Sequence, residues 1–272
     1  MLTRIVVAVI FAPILFVLLF FLPPVWTAVL AALIASLGSF ELLRASGVAR
    51  HNRIYVYTAL AAGLVPAGFA LGHPLWMVTA LTLLLMAALF VEAIRRFDGP
   101  GPISLEHILV CMFAGIAIPA MLSLLIQLRR MPQGRYLVLL PVISAFLTDS
   151  GAYFAGMFFG KHRGVTKVSP NKSLEGYLGG ILSGALFMLG YGGILHSLGG
   201  LEVSYPIMAV YGLVGSGMTE LGDLAFSLIK RQYGVKDYGS LLPGHGGMLD
   251  RFDSMIFAAP ALWLMVEWFP AF

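Results

Sequence analysis

The stretch PLWMVTALTLLLMAALFVEAI, residues 74–94, decides the class of fold, because its 21 residues include a single charged side chain. A helix needs about 20 apolar residues to cross the hydrocarbon core of a bilayer. The rest of the chain has the same character: 59% of the 272 residues are hydrophobic and 11% are charged, whereas soluble domains carry about 25% charged residues. The composition therefore predicts an integral membrane protein and excludes a soluble domain.

Nine stretches of this kind predict nine membrane helices, separated by breaks such as Pro23-Pro24 and residues 98–102. The first stretch runs directly into the second and lacks a small-residue cleavage site, so we expect a retained helix rather than a signal peptide. We expect an all-α polytopic membrane protein, a single membrane domain over 1–272, with N-terminal helices in 1–100 and the catalytic motifs in 101–272. The predicted spans cover residues 4–22, 25–43, 54–72, 74–94, 105–128, 135–159, 174–196, 204–229 and 251–270.

The basic residues predict how the chain is oriented. If the nine spans alternate in direction, fourteen lysines and arginines fall on one side of the membrane and three, Arg129, Arg130 and Arg135, on the other. Cytoplasmic loops of membrane proteins are enriched in Lys and Arg. The asymmetry therefore predicts a cytoplasmic N-terminus, an external C-terminus and two charge-rich cytoplasmic loops, residues 148–176 and 219–253.

Both of these loops join spans that carry carboxylates. Asp149 lies within the sixth span, Glu220 and Asp223 lie within the eighth, and Asp250 and Asp253 open the ninth. Burying an ionised acid within a membrane costs free energy, so such a residue is by default taken as a candidate for a functional site. The members of each pair are three residues apart and share a helix face. Such oxygen-rich clusters suit Mg²⁺, which takes one or two carboxylates together with phosphate oxygens.

Cations and glycines surround these acids in the sequence. Backbone N–H groups next to glycines can approach an anion closely, and Gly244, Gly246 and Gly247 flank His245. Acids, cations and a glycine-rich turn together predict metal-assisted phosphate chemistry at the membrane surface. The cations are Lys161, Arg163, Lys167, Lys172, Lys230, Arg231, Lys236 and Arg251.

Each of these features also has a simpler interpretation. Lys230 and Arg231 could snorkel at the end of a span, and the two acids that open the ninth span could complement a helix dipole. Lys172 and Glu175 could form an ion pair within the loop, and residues 169–171 could be a turn before a helix. These interpretations are credible singly, but their coincidence in two loops on one side favours a site.

The glycines of the sixth and seventh spans predict helix packing rather than nucleotide binding. Gly156 and Gly160-Lys161 lack the four-residue spacing and the hydroxyl residue of a P-loop. The pairs Gly156/Gly160 and Gly180/Gly184 instead fit the small-xxx-small pattern of closely packed membrane helices.

The stretch SLIKRQYGVKDYGSLLPGHGGMLDRFD, residues 227–253, resembles the signature of the phosphatidate cytidylyltransferases, or CDP-diacylglycerol synthases. An earlier stretch resembles the family's second motif, although Ser173 stands where threonine is more frequent. The positions that match the signature are Ser227, Lys230-Arg231, Lys236-Asp237, His245-Gly246-Gly247, Asp250-Arg251 and Asp253. The positions that match the second motif are Asp149, Ala152-Tyr153, Gly160-Lys161, Ser169-Pro170, Lys172 and Glu175-Gly176.

This resemblance implies an enzyme that joins CTP to phosphatidic acid, giving CDP-diacylglycerol and pyrophosphate for phospholipid synthesis. It further implies an all-helical homodimer in the bacterial cytoplasmic (inner) membrane, with its active site facing the cytoplasm, bound by membrane lipids and without a nucleic-acid partner. The implied cofactor is Mg²⁺, with K⁺ as a candidate second ion. The metal ligands would be Asp223 and Asp250, with Asp253, Asp149 and Glu220 as weaker candidates. The catalytic residues would be Lys172, Lys230, Arg231, His245 and Arg251. The substrate-binding residues would be Ser169, Lys161, Lys167, Lys236, Gly246 and Gly247.

Two alternatives compete with this interpretation. An ion- or proton-coupled carrier would also place acids in broken membrane helices, but the sequence shows no inverted repeat and gathers its charge on one side. A CDP-alcohol phosphotransferase would also act on lipid headgroups, but its D-G-x-x-A-R motif is not found here.

Overall fold

The computed structural model describes residues 2–48, 52–99, 101–241 and 246–272, in which helices are joined by loops and no β-strand is found. The predicted all-α class is confirmed. The helices are α1 Leu2–Phe20, α2 Pro24–Ala45, α3 Asn52–Leu71, α4 Pro74–Arg95, α5 Leu105–Met112, α6 Ile118–Arg130, α7 Gly134–Leu137, α8 Leu139–Phe159, α9 Leu174–Ser197, α10 Tyr205–Gln232 and α11 Leu249–Trp268.

A π-helical turn, Phe113–Ala117, joins α5 to α6 without a break. Pro119 lies in the first turn of α6 and has no N–H to donate, so the regular bond to residue 115 cannot form. Gly115 within this turn allows a close approach, since a Cβ there would lie 2.9 Å from the side chains of Thr58 and Leu85. The predicted fifth span is therefore one continuous helical rod with a local irregularity.

Within the described residues, six helical segments are long and apolar enough to cross a membrane, and they indicate a membrane protein by length and composition. The helices outside these six segments are α1, in which Phe11–Phe20 is a shorter apolar stretch, and α10 and α11, which carry charged residues. The predicted count of nine spans and the predicted orientation remain predictions. The six segments are Pro24–Ala45, Arg53–Leu71, Pro74–Arg95, Leu105–Arg130, Gly134–Phe159 and Leu174–Ser197.

The chain divides into two compact units, which are described separately. The first unit comprises Met1–Pro132 and Gln232–Phe252, and the second comprises Gln133–Arg231 and Asp253–Phe272. The family signature in residues 227–253 therefore contributes residues to both units. The predicted single membrane domain remains a prediction.

In the first unit, two arginines at the end of α6 cap the ends of other helices. Arg129 donates to the carbonyl of Leu22 at 2.9 Å, and Arg130 donates to the carbonyls of Phe69 and Ala70 at 2.5 and 3.1 Å. The last carbonyls of a helix have no intrahelical partner. These guanidinium groups therefore satisfy chain ends that lipid could not.

In the second unit, glycines bring α8, α9 and α10 into close contact. A Cβ at Gly180 would lie 3.1 Å from the Cβ of Ala152, and a Cβ at Gly184 would lie 2.7 Å from Oγ1 of Thr148. A Cβ at Gly156 would lie 3.3 Å from Oγ of Ser173, at the start of α9. The predicted small-xxx-small packing is confirmed at these positions.

Candidate active site

The second unit contains a lysine held between two carboxylates. Lys172 donates to Oε2 of Glu220 at 2.8 Å, and its Nζ lies 2.6 Å from Oδ2 of Asp223. The two acids are three residues apart on α10, so the prediction that they share a helix face is confirmed. The suggested ion pair between Lys172 and Glu175 is wrong, because Glu175 pairs instead with Nδ1 of His162 at 2.5 Å.

The backbone before α9 delivers Lys172 to this position. The N–H of Lys172 donates to the carbonyl of Ser169 at 3.1 Å and closes a turn, which confirms the predicted turn before the helix. Ser173 then caps α9, since its hydroxyl accepts the N–H of Gly176 at 3.1 Å. Either serine or threonine can supply this cap, so the serine at position 173 is sufficient for it.

The electrostatic environment keeps Lys172 charged. Burial alone would lower the pKa of Lys172, but the attraction of Asp223 and Glu220 outweighs the burial, and the pKa is raised above its usual value. The ammonium also lies 5.1 Å from the centre of the Tyr177 ring. An ammonium has three N–H donors and two are directed at carboxylates, so one donor remains for an anion.

Glu220 carries an unsatisfied atom at the same place. Its side chain is 6% exposed, and within the described part of the chain its Oε1 is buried without a hydrogen-bond partner. A Cβ at Gly180 would lie 2.8 Å from this oxygen, so only glycine leaves room for it. A buried carboxylate oxygen without a partner is costly, and a bound cation would satisfy it.

Two further acids belong to the second unit. Asp149 on α8 is exposed and lies within electrostatic reach of Asp223, Asp253 and Lys172. Asp253 is 6% exposed, and its Oδ1 accepts the N–H of Ser254 at 2.8 Å. A Cβ at Gly222 would lie 2.8 Å from the carbonyl oxygen of Asp253, so α10 and α11 approach each other closely here. Three helices thus contribute carboxylates to one unit.

The carboxylates of the second unit suit a Mg²⁺ ion whose coordination shell is completed by oxygens of the substrate and of water. Among residues 2–48, 52–99, 101–241 and 246–272, no three His, Cys, Asp or Glu side chains converge as a closed metal cage. Mg²⁺ in phosphate-transfer sites, however, commonly takes one or two carboxylates, with water and phosphate oxygens completing its shell. Asp223 and Glu220, with the unsatisfied Oε1 of Glu220, meet that requirement.

In the first unit, Asp250 accepts hydrogen bonds from the signature loop, which is the part of residues 227–253 that precedes α11. Its Oδ2 accepts the N–H groups of Tyr238 and Gly247 at 2.8 and 3.0 Å, and the residue is 9% exposed. Gly246 has a φ of +84°, and a Cβ there would lie 3.0 Å from the same oxygen. Glycine is required at position 246 both for its conformation and for the space that Asp250 occupies.

A further acid of the first unit was missed by the sequence analysis. Glu41 on α2 is 6% exposed and accepts the N–H groups of Met248 and Leu249 at 2.9 and 2.8 Å. The signal that could have found it is general, because a carboxylate inside an apolar span needs a partner. Its position outside both charged loops concealed the nature of that partner.

The remaining predicted residues differ in exposure. Lys230 is 9% exposed, so it does not extend into solvent as a snorkelling side chain would. Ser169 is partly buried and Gly247 is buried. His245 and Gly244 lie outside the described residues. The exposed predicted cations are Lys161, Arg163, Lys167, Arg231, Lys236 and Arg251.

The chain belongs to the cytidylyltransferase family, whose family model matches residues 2–269. It is 32% identical to the phosphatidate cytidylyltransferase of Thermotoga maritima over 266 residues, which cover 97% of this chain and 96% of that protein. The resemblance found in residues 227–253 is thereby confirmed, and the carrier and the CDP-alcohol phosphotransferase are set aside.

Other relatives match over shorter segments. The phosphatidate cytidylyltransferase of Bacillus subtilis is 36% identical over 191 residues, or 70% of this chain and 66% of that protein. That of Staphylococcus epidermidis is 42% identical over 130 residues, or 48% of each chain. The chain therefore matches about half to two-thirds of the length of these two relatives.

Proposed function

We propose that this protein transfers the cytidylyl group of CTP to phosphatidic acid, giving CDP-diacylglycerol and pyrophosphate for phospholipid synthesis. The observation that carries the proposal is Lys172 held between Glu220 and Asp223, in a membrane chain that matches the cytidylyltransferase family along nearly its whole length. The substrates follow from the names of the relatives and from the signature in residues 227–253.

The reaction needs little help from a protein base. A phosphate oxygen of phosphatidic acid attacks the α-phosphorus of CTP, and the bond from that phosphorus to the bridging oxygen of pyrophosphate breaks. A phosphomonoester has a second pKa near 6, so this nucleophile is already ionised at neutral pH. The main obstacle is the repulsion between two polyanions, and fixed cations relieve it.

We assign the neutralisation of the phosphates to the basic residues of the two motifs. Lys172 is oriented by two carboxylates and retains one N–H donor for a phosphate oxygen. Arg231 and Arg251 can each offer a planar pair of donors. We assign Lys230 and His245 to the same reaction on the basis of the resemblance. Substrate binding is assigned to Ser169, Lys161, Lys167, Lys236, Gly246 and Gly247.

The proposed cofactor is Mg²⁺, with K⁺ as a candidate second ion. The proposed ligands are Asp223 and Asp250, with Asp253, Asp149 and Glu220 as further candidates. When bound, the metal would neutralise phosphate charge and polarise the phosphorus under attack. The chain's own residues would hold the triphosphate, orient the lipid phosphate and exclude competing water.

The proposed location is the bacterial cytoplasmic membrane, with the active site on the cytoplasmic side. The distribution of basic residues over the predicted loops supports this orientation. CTP would arrive from the cytoplasm and phosphatidic acid from the headgroup layer, so each substrate would reach the site from its own phase. A homodimer is proposed from the family resemblance.

The decisive experiment assays the purified protein in detergent micelles with phosphatidic acid, labelled CTP and Mg²⁺. We expect CDP-diacylglycerol and pyrophosphate in equal amounts, with loss of both on metal chelation. Asp250→Asn should abolish turnover, whereas Glu267→Gln, an exposed acid near the other end of α11, should not. A folded wild type that turns over no CTP with any lipid acceptor would refute the proposal.

A further inference from the structure

The carboxylate of Glu41 is the most unusual feature of the N-terminal helices. It lies in α2, an apolar segment long enough to span a membrane, yet it is 6% exposed. Oε1 accepts the N–H of Met248 at 2.9 Å, and Oε2 accepts the N–H of Leu249 at 2.8 Å. The first N–H groups of a helix have no intrahelical partner, and the helix dipole favours an anion there. Glu41 therefore caps α11.

Two glycines make room for this carboxylate. If Gly239 carried a Cβ, the three nearest atoms would all belong to Glu41, with Oε1 at 2.5 Å. The three atoms nearest to a Cβ at Gly247 would likewise belong to Glu41. Neither glycine has a positive φ, so their backbone conformations do not demand glycine. Glycine is required at both positions because the Glu41 carboxylate occupies the space that a Cβ would fill.

The residues that Glu41 holds directly follow one that Asp250 holds. The N–H of Gly247 donates to Asp250, and the next two N–H groups along the chain donate to Glu41. A Cβ at Gly38 would lie 3.3 Å from Leu249, so α2 also contacts the first turn of α11. The segment 247–249 is thus fixed from both sides by carboxylates of the first unit.

We propose that Glu41 is the positioning residue of the signature loop, which places Asp250 for the reaction without itself contacting substrate or metal. Another buried acid of the same unit shows why this role is specific. Glu92 is 4% exposed, but its partner is Arg96 on the adjacent turn at 2.7 Å. The partners of Glu41 are 207 and 208 residues away in the chain, so Glu41 connects α2 to the signature loop.

The proposed function supplies the first test, which is the Mg²⁺ dependence of turnover. Glu41→Gln keeps the shape of the side chain but turns an amide N–H₂ towards one of the two backbone donors. Because residues that orient metal ligands typically change metal affinity or activity by 10–100-fold, we expect the half-saturating Mg²⁺ concentration to rise about tenfold. High Mg²⁺ should restore part of the activity. Glu92→Gln, the matched control, should leave the Mg²⁺ dependence unchanged.

A second test needs no turnover and so separates this inference from the proposed function. Thermal unfolding in detergent is measured for Gly239→Ala, Glu41→Ala and the double variant. Gly239→Ala should lower the unfolding temperature in the wild-type background but not in Glu41→Ala, because the clash then has no partner. Additive effects would overturn the contact. A wild-type Mg²⁺ dependence in Glu41→Gln would overturn the positioning role. An inactive wild type would refute the proposed function and leave the contact to be decided by the unfolding cycle.

Discussion

Replacing Lys172 by methionine should separate two roles of one ammonium group. The variant removes the only cation that the structure places between Glu220 and Asp223 within the described part of the chain. Removing one partner of a buried ion pair costs about 3–5 kcal/mol, whereas an exposed pair is worth about 0–1 kcal/mol. Glu220 is 6% exposed, but the side chains of Lys172 and Asp223 are 28% and 26% exposed. We therefore expect a loss of about 2 kcal/mol in the free energy of unfolding.

Most of this loss should come from the stranded carboxylate of Glu220, and a second substitution can show it. In Lys172→Met/Glu220→Gln the buried charge is gone, so stability should recover most of the lost free energy. Turnover should not recover, because the N–H donor proposed for the phosphate remains absent. Removing a charged donor that stabilises a transition state costs about 10²–10³-fold in kcat.

The assay combines denaturant unfolding in micelles with turnover of labelled CTP on the same preparations. Glu220→Gln alone provides the control for the amide. Two results would refute the reasoning: stability losses that simply add in the double variant, or near wild-type turnover in Lys172→Met. The first would show that the ion pair does not govern stability, and the second that the ammonium does not touch substrate.

Two further predictions concern helix packing and helix capping, and a third concerns the pH dependence of stability. Gly180→Ala should lower the free energy of unfolding by about 1–3 kcal/mol, because it overpacks α8, α9 and α10. Gly190→Ala on the same helix, where a Cβ meets nothing within 4 Å, should be neutral or stabilising. Thermal unfolding compares the two variants. Ser173→Ala should cost about 1 kcal/mol through the lost cap and Ser173→Thr much less, as read from denaturant midpoints. Since the pKa of Lys172 is raised, its contribution to stability is fully present below its unfolded pKa and is lost only as pH rises through the folded one. Between about pH 6 and 9, Lys172 should therefore contribute no pH dependence to the free energy of unfolding. Comparing the wild type with Lys172→Met over this range tests the expectation.

The local part of this fold could be predicted from the sequence. The seventh predicted span, 174–196, differs by one residue at its end from the observed Leu174–Ser197. The pairing of Glu220 with Asp223 on one helix face follows from helical periodicity alone. Helix class, helix ends and neighbours on one face depend on short-range sequence, and the composition of each stretch contains that information.

The long-range partners could not be predicted in this way. Glu175, close to Lys172 in the chain, was considered as a partner for an ion pair within the loop, whereas the observed partners lie about fifty residues further along the chain. Glu41 shows the same limit more strongly, because its bonds reach residues 248 and 249. A single sequence gives no pattern that connects such distant positions.

The bonds of Glu41 also have a consequence for biosynthesis. Its two donors are 207 and 208 residues downstream, and ribosomes add roughly 5–20 residues per second. The carboxylate therefore enters the nascent assembly about 10–40 seconds before its partners are made. During that interval the Glu41 carboxylate lacks both backbone donors, and an acid without partners is costly within a membrane. Residues 248 and 249 thus complete the surroundings of an acid in the second helix, and a product that stops before them leaves the Glu41 carboxylate without these two donors.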